Sequence, residues 1–260
     1  MHQTHSLVIG AASGMGRCIA ERLSKAGRLT IADKNQATLK ELAAEYMADA
    51  VYCDISDLES IKSLAAACID IDNIVITAGV SPVMASVQQI IDVDFIGTAH
   101  CIDVFRELVR PGGAMVCISS IAGRKFTTND PTVIQALEAP FSDQLITKLK
   151  DAGMDMTDRN VAYGIAKFGV IHLCRKAAKS WAEKQARINS ISPGIIDTPM
   201  GNPELQQQTE VLRSLIDATP LQRMGSPDDI ADCIEFLLSA KSAFITGTDI
   251  LVDGGICSVA

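Results

Sequence analysis

Tyr163 and Lys167 stand four residues apart in the run Asn160-Val161-Ala162-Tyr163-Gly164-Ile165-Ala166-Lys167. On a helix that spacing stacks both side chains on one face, one turn apart. A free tyrosine titrates near pH ~10 and carries protons poorly at neutrality. An ammonium one turn away favours the phenolate and lowers that pKa. The pair thus has the makings of a general acid/base for an alcohol or a carbonyl. By itself it also fits an ordinary solvated helix face, so the rest of the chain must supply its context.

That context begins with Gly10-Ala11-Ala12-Ser13-Gly14-Met15-Gly16, directly after the apolar run Ser6-Leu7-Val8-Ile9. Small residues let a backbone turn tightly and approach a pyrophosphate, and a helix opening at Gly14 offers free N–H groups and a favourable dipole to the anion. Asp33 ends the second apolar run, 17 residues beyond Gly16. A carboxylate there accepts from both hydroxyls of an adenosine ribose and repels a 2′-phosphate, which predicts NAD rather than its phosphorylated form. Lys34 and Arg17 are the basic neighbours that oppose this. Asp54, in Cys53-Asp54-Ile55, closes a third run and suits either an adenine amino group or a helix cap. Thr77-Ala78-Gly79 ends a fourth, with a backbone small enough for a dinucleotide to pass.

The elements that must position these residues alternate. Strands are expected at 6–9, 29–32, 50–52, 73–76, 114–118, 187–191 and 249–252, with helices at 14–26, 36–47 and 58–68. This order predicts an α/β fold: one Rossmann-type domain over 1–260, with a doubly wound parallel sheet of about seven strands. The chain has 260 residues, 48% of them hydrophobic, and a formal net charge of -8. That balance argues against polyanionic partners, both nucleic acid and membrane surfaces. The eight cysteines form no CxxC motif and sit mostly in apolar stretches, so reduced thiols and a cytoplasmic location are expected. Four histidines lack metal spacing. No signal peptide is expected at the amino terminus.

Together these segments resemble the classical short-chain dehydrogenase/reductase family. The likeness extends through Ile118-Ser119-Ser120-Ile121-Ala122-Gly123, Asn189-Ser190-Ile191-Ser192-Pro193-Gly194 and the tail from Thr246 to Gly255. It implies hydride transfer between a nicotinamide and a secondary alcohol or ketone. It also implies Ser120 as the oxyanion-type hydrogen-bond partner, Tyr163 as proton exchanger, and Lys167 as ribose ligand. Ser13, Gly14, Met15, Ile55, Ala78, Gly79, Pro193, Gly194, Ile196 and Thr198 would border the cofactor. Ser119 is expected to point away.

Two departures stand out. Asp94, in Asp92-Val93-Asp94-Phe95-Ile96-Gly97, occupies the place of the family's usual asparagine, which helps hold a water in a proton relay. An ionised aspartate accepts from such a water and pairs with Lys167, but cannot donate an amide hydrogen. Ser120 and Tyr163 are also 43 positions apart. The family's separation is about a dozen, so about 30 residues are inserted around 125–159, with helical pattern at 136–139 and 141–150. The insertion, a segment from Gly79 to Asp94 that is shorter than the family's usual one, and the run Pro131-Thr132-Val133-Ile134-Gln135-Ala136-Leu137-Glu138-Ala139 together are similar to the bacterial 3α-hydroxysteroid dehydrogenase/carbonyl reductase branch and imply a carbonyl or steroid-like substrate. Apolar stripes at Val133, Ile134 and Leu137, and at Leu145, Ile146 and Leu149, predict packing against something, either as a lid or within a homo-oligomer, dimeric or tetrameric, joined partly through 250–255. The substrate walls are expected from 81–85, 124–157 and 200–219. An acyl-thioester ketone reductase and a non-catalytic dinucleotide-binding scaffold are the alternatives.

Overall fold

The computed structural model describes residues 3–198 and 209–259. Seven parallel strands form one sheet in the order β3-β2-β1-β4-β5-β6-β7. They are β1 (His5–Ile9), β2 (Arg28–Asp33), β3 (Asp49–Tyr52), β4 (Ile71–Ile76), β5 (Val109–Ile118), β6 (Arg187–Pro193) and β7 (Asp249–Val252). Successive side chains on a strand face opposite sides, and both sides are apolar here because helices cover both. Leu7, Ile9, Ile74, Ile76, Met115 and Cys117 enter one core, on the side of α3 (Leu58–Ala67), α5 (Thr98–Arg106) and the long α9 (Arg159–Ala182). Val8, Val75, Val116 and Ile118 enter the other, on the side of α1 (Gly14–Ser24), α2 (Gln36–Tyr46) and α11 (Pro227–Leu238). The predicted single-domain doubly wound fold is therefore the one observed.

The strand order reverses at β1 and β4, so their carboxyl ends diverge into a crevice, the usual ligand site of open parallel sheets. Gly10, Asp33, Asp54, Thr77 and Ser119 all follow strands at this edge. Their gathering is a consequence of parallel topology, since every strand ends on the same side.

Between α4 (Val87–Ile90) and α5 the chain forms a seven-residue π-helix, Ile91–Gly97, which carries Asp94. Such widened turns are rare and recur at functional sites. Beyond β5, α6 (Ile121–Lys125) starts at Ser120, whose Oγ accepts from the Ala122 N–H at 3.1 Å.

The insertion holds two short helices, α7 (Pro131–Leu137) and α8 (Leu145–Asp151). Their bounds differ from the expected ones for local reasons. Pro131 suits the first turn, where its missing N–H is not needed, and the Asp130 side chain caps it by accepting from Thr132. Residues 138–144 then form the connecting turn. Val133, Leu137, Leu145 and Leu149 of the two stripes are buried in the core that contains Phe95, Phe105 and the inner face of α9, with Ile146 partly buried against it. Outside it, Phe141 stacks on His100 of α5 with ring centroids 4.2 Å apart. Glu138 lies 3.3 Å from His172 and 3.6 Å from Lys176, both on α9. The insertion thus clamps the outer faces of α5 and α9. The stripes find their packing inside their own chain, so they do not require a second subunit, and none of these residues forms a lid on the crevice. The remaining described helices are α10 (Thr209–Ala218) and α12 (Ile256–Val259).

Leu149 is fully buried while Phe141 is 47% exposed. Leu149→Ala should therefore lower unfolding stability by about 3 kcal/mol, and Phe141→Ala by less than about 1 kcal/mol. Urea denaturation of the two variants checks the difference; equal effects would mean that the insertion is not part of the core.

Candidate active site

The crevice at the carboxyl edge has a volume of about 270 Å³. Its floor is the close approach of two backbones. Gly10 has φ +93, and a Cβ there would overlap the Ala78 backbone N; a Cβ on Gly16 would overlap the Gly10 carbonyl. Only glycine permits this geometry at both points. Thr77 Oγ1 fastens the crossing by donating to the carbonyls of Ile9 and Gly10, at 3.0 and 3.1 Å.

Ser13 occupies the N-cap of α1 but makes no side-chain cap bond. The first N–H groups of the helix are left for an anion, aided by the helix dipole. Ser13, Gly14, Met15 and Gly16 all line the crevice, and Thr198 closes it against Gly14. Asp33 lies beside them. Its Oδ2 accepts from Ala12 N at 3.0 Å and its Oδ1 from Asn35 N at 2.9 Å, which fixes the carboxylate at the mouth. Lys34 also lines the crevice, whereas Arg17 turns to Glu45 at 3.6 Å. Asp54 Oδ1 accepts from the Ser56 hydroxyl and N–H, bonds that hold its carboxyl below the ordinary carboxylate range, and Asp57 takes over the capping of α3. Asp54, Ile55, Ala78 and Gly79 complete the wall. A glycine-bounded turn, an uncapped helix start and an acidic strand end are the features a dinucleotide needs, so the residues present fit such a cofactor.

Deeper in, Lys167 is 5% exposed and Asp94 is fully buried. Lys167 Nζ lies 3.0 Å from Asp94 Oδ1, 3.4 Å from the Ile118 carbonyl and 5.6 Å from the centre of the Tyr163 ring. Asp94 Oδ1 also accepts from the Val80 N–H at 3.1 Å. Burial pushes the Asp94 carboxyl up, against the pull of Lys167. Burial alone would lower the Lys167 pKa, but Asp94 and then Tyr163 override it and the net shift is upward. The helix α9 is held at this edge by Ser119, whose Oγ donates to the Lys167 carbonyl at 2.7 Å, and by Gly123, which leaves no room for a Cβ against the same turn. Ser119 is thus turned away as expected, and Ser120 is the next residue, at the start of α6.

Several expected site residues, Ser120, Tyr163 and Lys167 among them, do not line the crevice. Pro193 is a buried member of β6, paired to Val252. Gly194 is small because Asp253 packs on it, with a virtual Cβ 2.7 Å from the Asp253 Cα. Ile196 is in the second core and bridges to Gly225. None of the three lines the crevice; Gly194 and Ile196 border a separate hollow of about 80 Å³ with Thr219 and Arg223. Of the predicted substrate walls, Ser81 and Met84 reach the crevice and nothing from 124–157 does. The expected wall at 200–219 lies largely outside the described residues. Val93 and Cys53 also line the crevice and were not singled out by sequence. Val93 precedes Asp94 on the π-helix, a conformation without a sequence signature. Among the described residues no group of His, Cys, Asp or Glu is arranged to hold a metal.

A family profile described as "Enoyl-(Acyl carrier protein) reductase" matches residues 10–139 and 144–257. A short-chain dehydrogenase/reductase of Alternaria brassicicola is 36% identical, covering 98% of this chain and 96% of the relative. The 3-alpha-hydroxysteroid dehydrogenase/carbonyl reductase of Comamonas testosteroni is 27% identical, covering 97% and 96%. A solved structure of a short-chain dehydrogenase/reductase of the glucose/ribitol dehydrogenase type from Brucella melitensis superposes with a TM-score of 0.79, at 25% identity, covering 97% of this chain and 96% of that one. The chain belongs to the short-chain dehydrogenase/reductase family. It is an oxidoreductase that uses a nicotinamide cofactor and acts on alcohol or carbonyl groups.

The role of Gly10 can be separated from that of a merely permissive glycine. Gly112 also has positive φ, +88, but its virtual Cβ meets nothing within 4 Å. Gly10→Ala should weaken dinucleotide binding at least about tenfold, roughly 1.4 kcal/mol or more, while Gly112→Ala leaves it unchanged. Calorimetric titration of both variants decides; equal affinities would mean that the β1 turn does not shape the site.

Proposed function

We propose that the protein is an NAD(H)-dependent dehydrogenase/reductase that interconverts a secondary alcohol and its ketone, with Ser120, Tyr163 and Lys167 as its catalytic residues. The observation that carries this reading is the buried ammonium of Lys167, held at the crevice edge one helical turn from Tyr163. When bound, the nicotinamide supplies or accepts the hydride. Tyr163 donates its phenolic proton to the carbonyl oxygen in reduction and takes it back in oxidation. The Ser120 hydroxyl donates a hydrogen bond to the same oxygen as it gains charge. Lys167 favours the anionic form of Tyr163 and offers an N–H to the cofactor's ribose.

Asp33 supports the choice of NAD, because its fixed carboxylate occupies the ribose end and would repel a 2′-phosphate. Lys34 is the one basic side chain on the described crevice wall, and Asp33 and Asp54 flank it. For the substrate, the similarity to the Comamonas relative supports a ring-bearing ketone or alcohol. The acidic net charge of -8 gives little support to a carrier-bound acyl substrate. Cytoplasmic location fits the eight unpaired cysteines. No described helix is long and apolar enough to cross a membrane. A homo-oligomer remains the expected assembly. With the outer faces of α5 and α9 clamped by the insertion, its contacts fall to the half-exposed edge strand β7 and the nearby exposed Phe236 and Phe244.

A panel of cyclic and steroid ketones and secondary alcohols, followed by nicotinamide absorbance with each cofactor, tests the assignment. Turnover should appear with NAD(H), bound at least about tenfold better than NADP(H), and Tyr163→Phe should reduce it by about 10² or more with cofactor affinity nearly unchanged. Preference for NADP(H) would show that Lys34 outweighs Asp33; near-normal turnover in Tyr163→Phe would place the proton donor elsewhere.

A further inference from the structure

Lys167 does not itself line the crevice; it lies behind Gly79, which does. A virtual Cβ on Gly79 would lie 2.6 Å from Asp94 Oδ1 and 3.3 Å from Lys167 Nζ, so the missing side chain is what opens the ion pair to the cavity. An ammonium has three N–H donors. Asp94 Oδ1 takes one at 3.0 Å and the Ile118 carbonyl faces another at 3.4 Å. One donor is left. Asp94 itself has little freedom to move. It is fully buried on the π-helix, its Oδ1 is bound by both the Val80 N–H and Lys167, and its Oδ2 is buried with no partner.

The charge balance follows from the same geometry. The groups that bear on Lys167 are Asp94 from the π-helix, Tyr163 from its own helix and Cys117 from β5. A lone lysine one turn from Tyr163 would present a full positive charge to the phenol. Here a buried carboxylate lies in contact with the ammonium and opposes that charge.

We propose that Asp94 is a positioning residue that sets both the N–H which Lys167 offers to the crevice and the net charge felt at the Tyr163 hydroxyl. The consequence, resting on the assignment of Tyr163 as proton exchanger, is that alcohol oxidation, which needs the tyrosine as a base, rises at a more alkaline pH than it would with a neutral side chain at 94. Ketone reduction, which needs the proton in place, persists to higher pH.

The test uses the full-length chain labelled with 13C at the tyrosine ζ carbon. The protein has three tyrosines, and the Tyr163 resonance is the one lost in Tyr163→Phe. The unaltered protein sets the reference midpoint for Tyr163. Asp94→Asn, nearly isosteric but neutral, should lower it by about one unit or more. The rising limb of kcat/KM against pH for alcohol oxidation should move down by the same amount. A midpoint that is unmoved or raised in Asp94→Asn overturns the proposal. Should that variant fail to fold, Asp94→Ser, also neutral, carries the same comparison: a lowered midpoint supports the proposal and one that is unmoved or raised overturns it. Because the resonance reports the proton directly, a protein that titrates as expected but turns over none of the panel would refute the proposed function and leave the charge assignment standing.

Discussion

The active-site edge depends on one buried ion pair. Lys167 projects from α9 into a buried place, and among the described residues Asp94 gives it a counter-charge at contact distance. Removing one partner from a pair of this kind typically costs about 3–5 kcal/mol, because the other charge is left buried and uncompensated. Much of the local architecture serves to keep the two together. The π-helix widens the turn that carries Asp94, the Val80 N–H fixes its carboxylate, and Gly79 leaves room for it. On the opposite side Ser119 and Gly123 bind the end of β5 and the start of α6 to the turn of α9 that carries Lys167. Tyr163 stands one turn earlier on the same helix and packs against the core.

Around that pair the crevice is made by backbone rather than by side chains. The divergence of β1 and β4 opens it, the crossing of Gly10 with Ala78 sets its floor, and the uncapped start of α1 supplies N–H donors. Charged side chains bear on it at two places: Asp33, Lys34 and Asp54 on its wall, and the ion pair behind Gly79. The proposed function assigns cofactor choice to one place and proton transfer to the other, and the parallel sheet holds the two in register.

Much of this was legible in the sequence, for identifiable reasons. Strands buried on both faces read as short apolar runs. Gly10 and Gly16 announce a crossing with no room for a Cβ, and the four-residue spacing of Tyr163 and Lys167 fixes their face once a helix is assumed. The contact of Asp94 with Lys167 was also foreseeable, because the aspartate replaces a residue that belongs beside the lysine. What could not be read were non-local matters. The stripes of α7 and α8 signalled a need for burial but not the partner, which is the chain's own α5 and α9 side rather than a second subunit or the crevice. Gly194 and Ile196 sit in a motif shared with cofactor-binding relatives, yet in this structure their immediate constraints are Asp253 and Gly225. The π-helix leaves no periodic signature, since its sequence is compatible with an ordinary helical turn.

Isotope transfer tests the central claim, hydride exchange between a nicotinamide and a carbonyl carbon in this crevice, most directly. The protein is mixed with NADH carrying deuterium in the transferable position at C4 and a cyclic ketone, and the product alcohol is analysed by mass spectrometry and proton NMR. The account predicts one deuterium, bonded to the carbinol carbon and on a single face. Alcohol formed without deuterium, or with deuterium at another carbon, would contradict it.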